Sequence, residues 1–266
     1  MGGGTSVMIV SRRSMLAGAL AASAAGVRFG PALAQGLGDA AGYKYEATDG
    51  VRNGATLRGT LKYSGPPVEP VKMKVFKDTD ICGEGFRTVV PMRVASDGAL
   101  ADAVIQIRGV TAGKPWDPVF ESAKIYQTNC SFQPYVQIVR DSAEAEIINF
   151  DPILHNVHAY EVYKGVRRSM FNFSQPRAGQ IDVISLRLRR GNLITIDCNA
   201  HNWMAAWMYT SPSPYLSVTT VNGKYEIGDI PAGEYQLSVW HPALGEKFTD
   251  FTIGPGDVFD ADLVMS

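Results

Sequence analysis

Nowhere in this 266-residue chain do apolar residues keep the three-and-four spacing of a helix; short runs of β-branched and aromatic residues alternate with clusters of Gly, Pro, Asn and Asp. Successive side chains of a strand face opposite ways, so such alternation buries one face at a time and commits the chain to sheets. The fold class is therefore predicted to be all-β. Strands are expected at 56–63, 71–76, 102–108, 135–139, 144–149, 155–162, 181–189, 192–198, 216–220, 224–227, 234–240 and 258–264. With 45% hydrophobic residues the chain has ample material for a core, and its length suits one large β domain or two small ones.

The N-terminus reads differently. Residues 11–16, SRRSML, lead into LAGALAASAAGV, and a small-x-small site follows at Ala32-Leu33-Ala34. A paired arginine before a short, weakly apolar run is the pattern of a twin-arginine export signal, so residues 1–34 are read as a signal peptide and the periplasm as the destination. Met8 is an alternative start. The run is too short to span a bilayer and no second candidate follows, so no membrane span is expected. Residues 1–34 hold Arg12, Arg13 and Arg28 and no acid, which leaves 22 basic against 26 acidic side chains and a net charge of −4. That mild acidity argues against nucleic acid as a partner.

Three cysteines, Cys82, Cys130 and Cys198, are an odd number for an oxidising compartment. The simplest account is a Cys82–Cys130 disulfide, with Cys198 kept as a thiolate by something that binds it. Alternation supports this. Over 192–198, Ile194, Ile196 and Cys198 share one face, and over 155–160 His155, Val157 and Ala159 do the same, so Cys198 and His155 point inward while His158 points away. After Cys198 the chain reads Asn199-Ala200-His201-Asn202-Trp203-Met204, placing a thiolate, an imidazole and a thioether within seven residues. A second imidazole from a neighbouring strand would complete a trigonal His₂Cys set with a weak axial Met, the arrangement of blue copper. Thiolate and thioether favour Cu(I), and imidazole suits both oxidation states.

These segments resemble the cupredoxin, or blue copper, family, with a ligand loop similar in spacing to that of the amicyanins. The family pattern is met by Phe132-Gln133-Pro134, Asn149-Phe150-Asp151, His155-Asn156-Val157 and the Cys198/His201/Met204 loop. The resemblance implies one type 1 copper ion held by His155, Cys198 and His201 with Met204 axial, and Asn156 tying the two ligand segments together. It also implies single-electron exchange with redox protein partners. The chain departs from the pattern at Ser142–Glu146 and in the long 161–191 connection with its Arg167-Arg168 and Arg189-Arg190 pairs, which are read as solvated loop charges.

The chain ends suggest a second unit. GATLRGTLKY at 54–63 and LSVTTVNGKYEIGDIPAGEYQLSVW at 216–240 resemble strands of the carboxypeptidase regulatory-like, or transthyretin-like, sandwich, with hairpin turns expected at Asn222-Gly223 and Pro231-Ala232-Gly233. The resulting division is 35–99 and 213–266 for that sandwich and 100–212 for a Greek-key cupredoxin-like domain. One continuous sandwich is the other reading.

Of the remaining candidates, His158 is read as a surface residue and His241 as bonded to a buried backbone carbonyl. Met208 is a fallback axial ligand. Trp203 and Trp207 either fill core or frame the exposed edge of His201. Copper enzymes need more histidines than the four present, and a purple copper site needs two cysteines in the loop, so catalysis is not expected. The competing classes are a copper-storage or copper-delivery protein and a metal-free β module that binds carbohydrate or protein.

Overall fold

The computed structural model describes residues 8–11 and 44–266. The export signal expected at 1–34 lies outside the described residues, apart from Met8–Ser11, whose backbone pairs antiparallel with Val258–Met265. More than half of the described residues are strand; the helical turns among them are Thr79–Cys82 and Pro118–Phe120. The molecule is all-β.

Two pairs of sheets carry the fold. In the first pair, Val258–Met265 lies parallel to Ala55–Tyr63, which pairs antiparallel with Lys224–Ile230. The sheet facing it runs Leu216–Val218, Val104–Arg108, Gly233–His241 and Gly245–Ile253. Alternation does the work: Leu57, Leu61, Ile105, Ile107, Leu237 and Leu263 bury completely or nearly so in one core, while Arg58 between two of them stays in water. The second pair holds Val136–Arg140, Ala205–Ser211, Leu193–Asp197, His155–Tyr163 and Val166–Gln175 in one sheet, and Ile181–Ser185, Glu144–Asn149, Ser122–Thr128 and Ser131–Gln133 in the other. Ile125, Ile147, Val157, Ile194 and Ile196 fill its core. A third cluster, with Val104, Val136, Tyr209, Leu216 and Trp240, joins the two cores.

Several expectations change. The Asn222-Gly223 and Pro231-Ala232-Gly233 turns are corners between sheets, not hairpins, because Lys224–Ile230 and the strands on either side of it belong to different sheets. Gly223 serves a close crossing: its φ is 68°, and a Cβ there would sit 2.4 Å from the Leu61 carbonyl oxygen. Val104–Arg108, read as part of the 100–212 segment, pairs with Leu216–Val218 and Gly233–His241, since Ile105 and Ile107 complete the core of the chain ends. Conversely Val75 and Cys82, read as part of the terminal sandwich, bury in the core of the second pair. The 161–191 connection is not a loop throughout; Val166–Gln175 folds back on His155–Tyr163 through Lys164-Gly165, both at positive φ.

Candidate metal centre

Antiparallel pairing sets the site. His158 lies opposite Asp197, so His155, at the start of its strand, overhangs the loop that follows Cys198 at the end of the neighbouring one. That loop turns tightly: the Met204 amide donates to the His201 carbonyl at 3.0 Å, and the Cys198 amide donates to the Met204 carbonyl at 3.3 Å. Cys198, His201 and Met204 are thereby held on one bend, all buried.

His155, Cys198 and His201 converge, with their ligand atoms within 4.8 Å of one another. His155 Nδ1 lies 3.1 Å from His201 Nδ1, which lies 3.6 Å from Cys198 Sγ. The outer nitrogens are also engaged. His155 Nε2 is 2.8 Å from Asp151 Oδ2, and His201 Nε2 is 3.0 Å from Asp78 Oδ2. An ionised carboxylate only accepts, so each Nε2 carries the proton and each Nδ1 presents a bare lone pair. Two lone pairs 3.1 Å apart in a buried site repel unless a cation lies between them. Burial lowers the pKa of His201, with Asp78 pulling the other way, which favours the neutral, ligating form.

The surroundings hold this arrangement. The Asn156 amide donates to Cys198 Sγ at 3.3 Å, its side-chain oxygen accepts from the Asn199 amide at 3.2 Å, and its Nδ2 donates to the Phe173 carbonyl at 2.9 Å. It thus bridges the His155 and Cys198 segments. Asp151 sits in an Asx turn, its amide donating to Asn149 Oδ1 at 3.0 Å, and its carboxylate accepts the amides of Asn129 and Cys130, each at 2.8 Å. Cys130 also lies close to Asp151 and His155, but its sulfur is bonded to Cys82, leaving Cys198 as the free thiol. Met208 is buried in the same core as Met204.

His201 has no exposed edge. Its exposure is 0%, because Asp78 and the turn around it lie over the ring, and Trp203 packs 5.2 Å away with its indole N–H donating to the Cys130 carbonyl. Trp207 is not beside His201; it packs edge-on against Trp240 where the two cores meet. His158 lies on the outer side of its strand, bonded to Ser169 Oγ and the Tyr160 hydroxyl. His241 is buried in the other half and accepts the Ala243 amide at 3.1 Å, rather than donating to a carbonyl. Arg167 bonds Asp197 and Arg168 bonds Glu161, whereas Arg189 and Arg190 are exposed and it is their backbone amides that donate to Glu161. Sequence reasoning missed Asp78 altogether. It lies 123 residues from His201, with no motif to announce it.

No protein-family model matches the chain, and no curated protein does. Among solved structures, 40% of this chain is similar to a copper-containing nitrite reductase from Thermus scotoductus, at 15% identity and a TM-score of 0.28, spanning a quarter (25%) of that enzyme's length. A purple cupredoxin from Nitrosopumilus maritimus matches over 34% of this chain and 99% of its own, at 18% identity and a TM-score of 0.27. Auracyanin from Roseiflexus castenholzii matches over 35% and 98%, at 10% identity and a TM-score of 0.29.

Proposed function

We propose that the chain is an exported blue copper protein in which His155, Cys198, His201 and Met204 would hold one copper ion, and that it passes single electrons between protein partners. The observation that carries this reading is the buried meeting of two imidazole Nδ1 atoms and one thiol, with both Nε2 protons committed to carboxylates. Such a set suits a metal ion and little else. Zinc also accepts histidine and cysteine, but a thioether beside a thiolate and two imidazoles favours copper, which supplies a one-electron couple when bound. The chain's part is to keep the donors fixed. Cys198 ligates as a thiolate, the Asn156 amide restrains its sulfur, and the two carboxylates hold the ring tautomers, so that little moves when charge changes. Burial of all three donors favours a carrier over a delivery protein, whose metal must leave easily.

The test is a visible titration of the purified chain with Cu(II), then with a reductant. An intense thiolate-to-copper band that saturates at one equivalent, bleaches reversibly and is absent in Cys198→Ala supports the reading. Met204→Leu keeps the band and shifts the potential. A wild type without the band, or one that prefers zinc, sinks it in favour of a metal-free module or a structural zinc site. Export is tested separately: replacing Arg12 and Arg13 by lysine is expected to strand the protein in the cytoplasm, and undiminished export would reject the twin-arginine route.

A further inference from the structure

We propose that Asp78 is a positioning residue for the metal site, brought to it by a pinned strap from outside the two sheets that carry the ligands; this rests on the copper reading. The strap is the turn between Val71–Lys74 and Phe86–Val89, a two-stranded ribbon that by itself buries little. An isolated ribbon of this size is marginal in water, so it needs an anchor. Here there are several. Cys82 is bonded to Cys130, the Val75 amide donates to the Gly85 carbonyl at 2.9 Å, and Arg87 donates to the carbonyls of Cys82 and Asn129 at 2.7 and 2.8 Å.

The anchoring serves one side chain. Asp78 has φ 53° and ψ 38°, a left-handed conformation that a non-glycine residue adopts at a cost, and its carbonyl accepts the amides of Ile81 and Cys82. In that pose its carboxylate reaches His201 Nε2 at 3.0 Å, with Lys77 Nζ 3.9 Å from the same oxygen. His155 receives the equivalent service from Asp151, only four residues away, whose carboxylate is aimed by the Cys130 amide. The two halves of one disulfide therefore back the carboxylates that orient both imidazoles. Asp78 fixes the His201 tautomer, raises the basicity of Nδ1 and covers the ring. Loss of such an outer partner typically costs about 10–100-fold in metal affinity.

Asp78→Gly removes the carboxylate without opposing the left-handed backbone, and Asp78→Asn keeps an acceptor without the charge. Asp80→Asn is the neighbouring control. In the apoprotein, NMR is expected to show a slowly exchanging His201 Nε2 proton that vanishes in Asp78→Gly. The Gly variant is expected to hold Cu(II) about 10–100-fold less tightly and to show a higher reduction potential, with Asn between it and the wild type and Asp80→Asn unchanged. A Gly variant whose affinity and potential match the wild type overturns this proposal alone. So does a Gly variant that loses affinity only as far as the apoprotein loses stability, with Asn no better. A wild type that takes up no copper fails at the first step and removes the copper reading and this one together.

Discussion

Glu161 and His241 are both buried ionisable groups, yet their environments drive them to opposite ends of the charge scale. Burial alone would raise the pKa of Glu161, but the amides of Gly191, Arg190 and Arg189 and the Arg168 guanidinium outweigh it and hold the carboxyl at about 2, against an ordinary 4.5. The charge of Glu161 is the hub that closes the 186–192 bend. Its contribution is complete above the unfolded pKa and is lost as pH falls from about 4.5 to 2, roughly 3 kcal/mol in all. Denaturant titrations should show Glu161→Gln less stable than the wild type at pH 6, with the gap closing by pH 2; a constant gap would refute the assignment. For His241, burial dominates over the opposing pull of Asp102 and lowers the pKa to about 4 from 6.5. Here the neutral form is the buried one, so stability falls as pH drops from 6.5 towards 4, when the unfolded chain takes up a proton that the folded chain refuses. His241→Gln is expected to remove that share of the slope.

At the scale of strands and turns, the chain was legible only in part: the alternating Ser122–Thr128 and the largely buried Ala205–Ser211 are strands that the expected set lacks. Glu144–Asn149 coincides with its expected bounds, and Leu193–Asp197 and His155–Tyr163 agree within a residue at either end, which is why His155 and Cys198 were correctly aimed. Val166–Gln175 was not legible: it carries Arg167, Arg168, Ser169 and Asn172 on an outer edge, where solvent imposes no period. The turns at Gly223 and Gly233 were legible as turns but not as corners, because a Gly records only that the backbone bends or is approached closely. Asp78 was invisible for a different reason, since its partner comes from the far side of the sequence. A Cβ on Gly59 would fall 1.8 Å from the Ala261 carbonyl oxygen, so Gly59→Ala is expected to wedge apart the parallel neighbours Ala55–Tyr63 and Val258–Met265, costing about 1–3 kcal/mol in a thermal melt. The Cys82–Cys130 bond closes a 48-residue separation, and its removal is expected to cost about 4 kcal/mol, with one free thiol in the denatured wild type.

Across the whole molecule, the two cores meet on aromatic rings and one polar knot. The Tyr209 hydroxyl donates to Gln106 Oε1 at 2.7 Å and lies 3.2 Å from Glu246 Oε1, while Gln106 Nε2 donates to Ser211 Oγ at 2.9 Å. Burial first of all, with Glu246 adding to it, pushes the Tyr209 phenol far above its ordinary range, so it stays a donor at every accessible pH. Tyr209→Phe takes the hydroxyl donor from buried Gln106 Oε1, which keeps only the longer contact with Arg108 Nε at 3.5 Å, and is expected to cost about 1–3 kcal/mol by calorimetry. A cost near zero would mean that the halves are held by apolar contact alone.

The strand pairing also imposes an order on biosynthesis. Ala55–Tyr63 is made long before its parallel neighbour Val258–Met265, so that sheet cannot close until the later strand has been made. The strands around His155 and Cys198 are all complete by Ser211. The half that holds the donor set is therefore able to assemble while the other half still waits for its final strand, and a chain truncated before Val258 would keep its ligands but lose its closure.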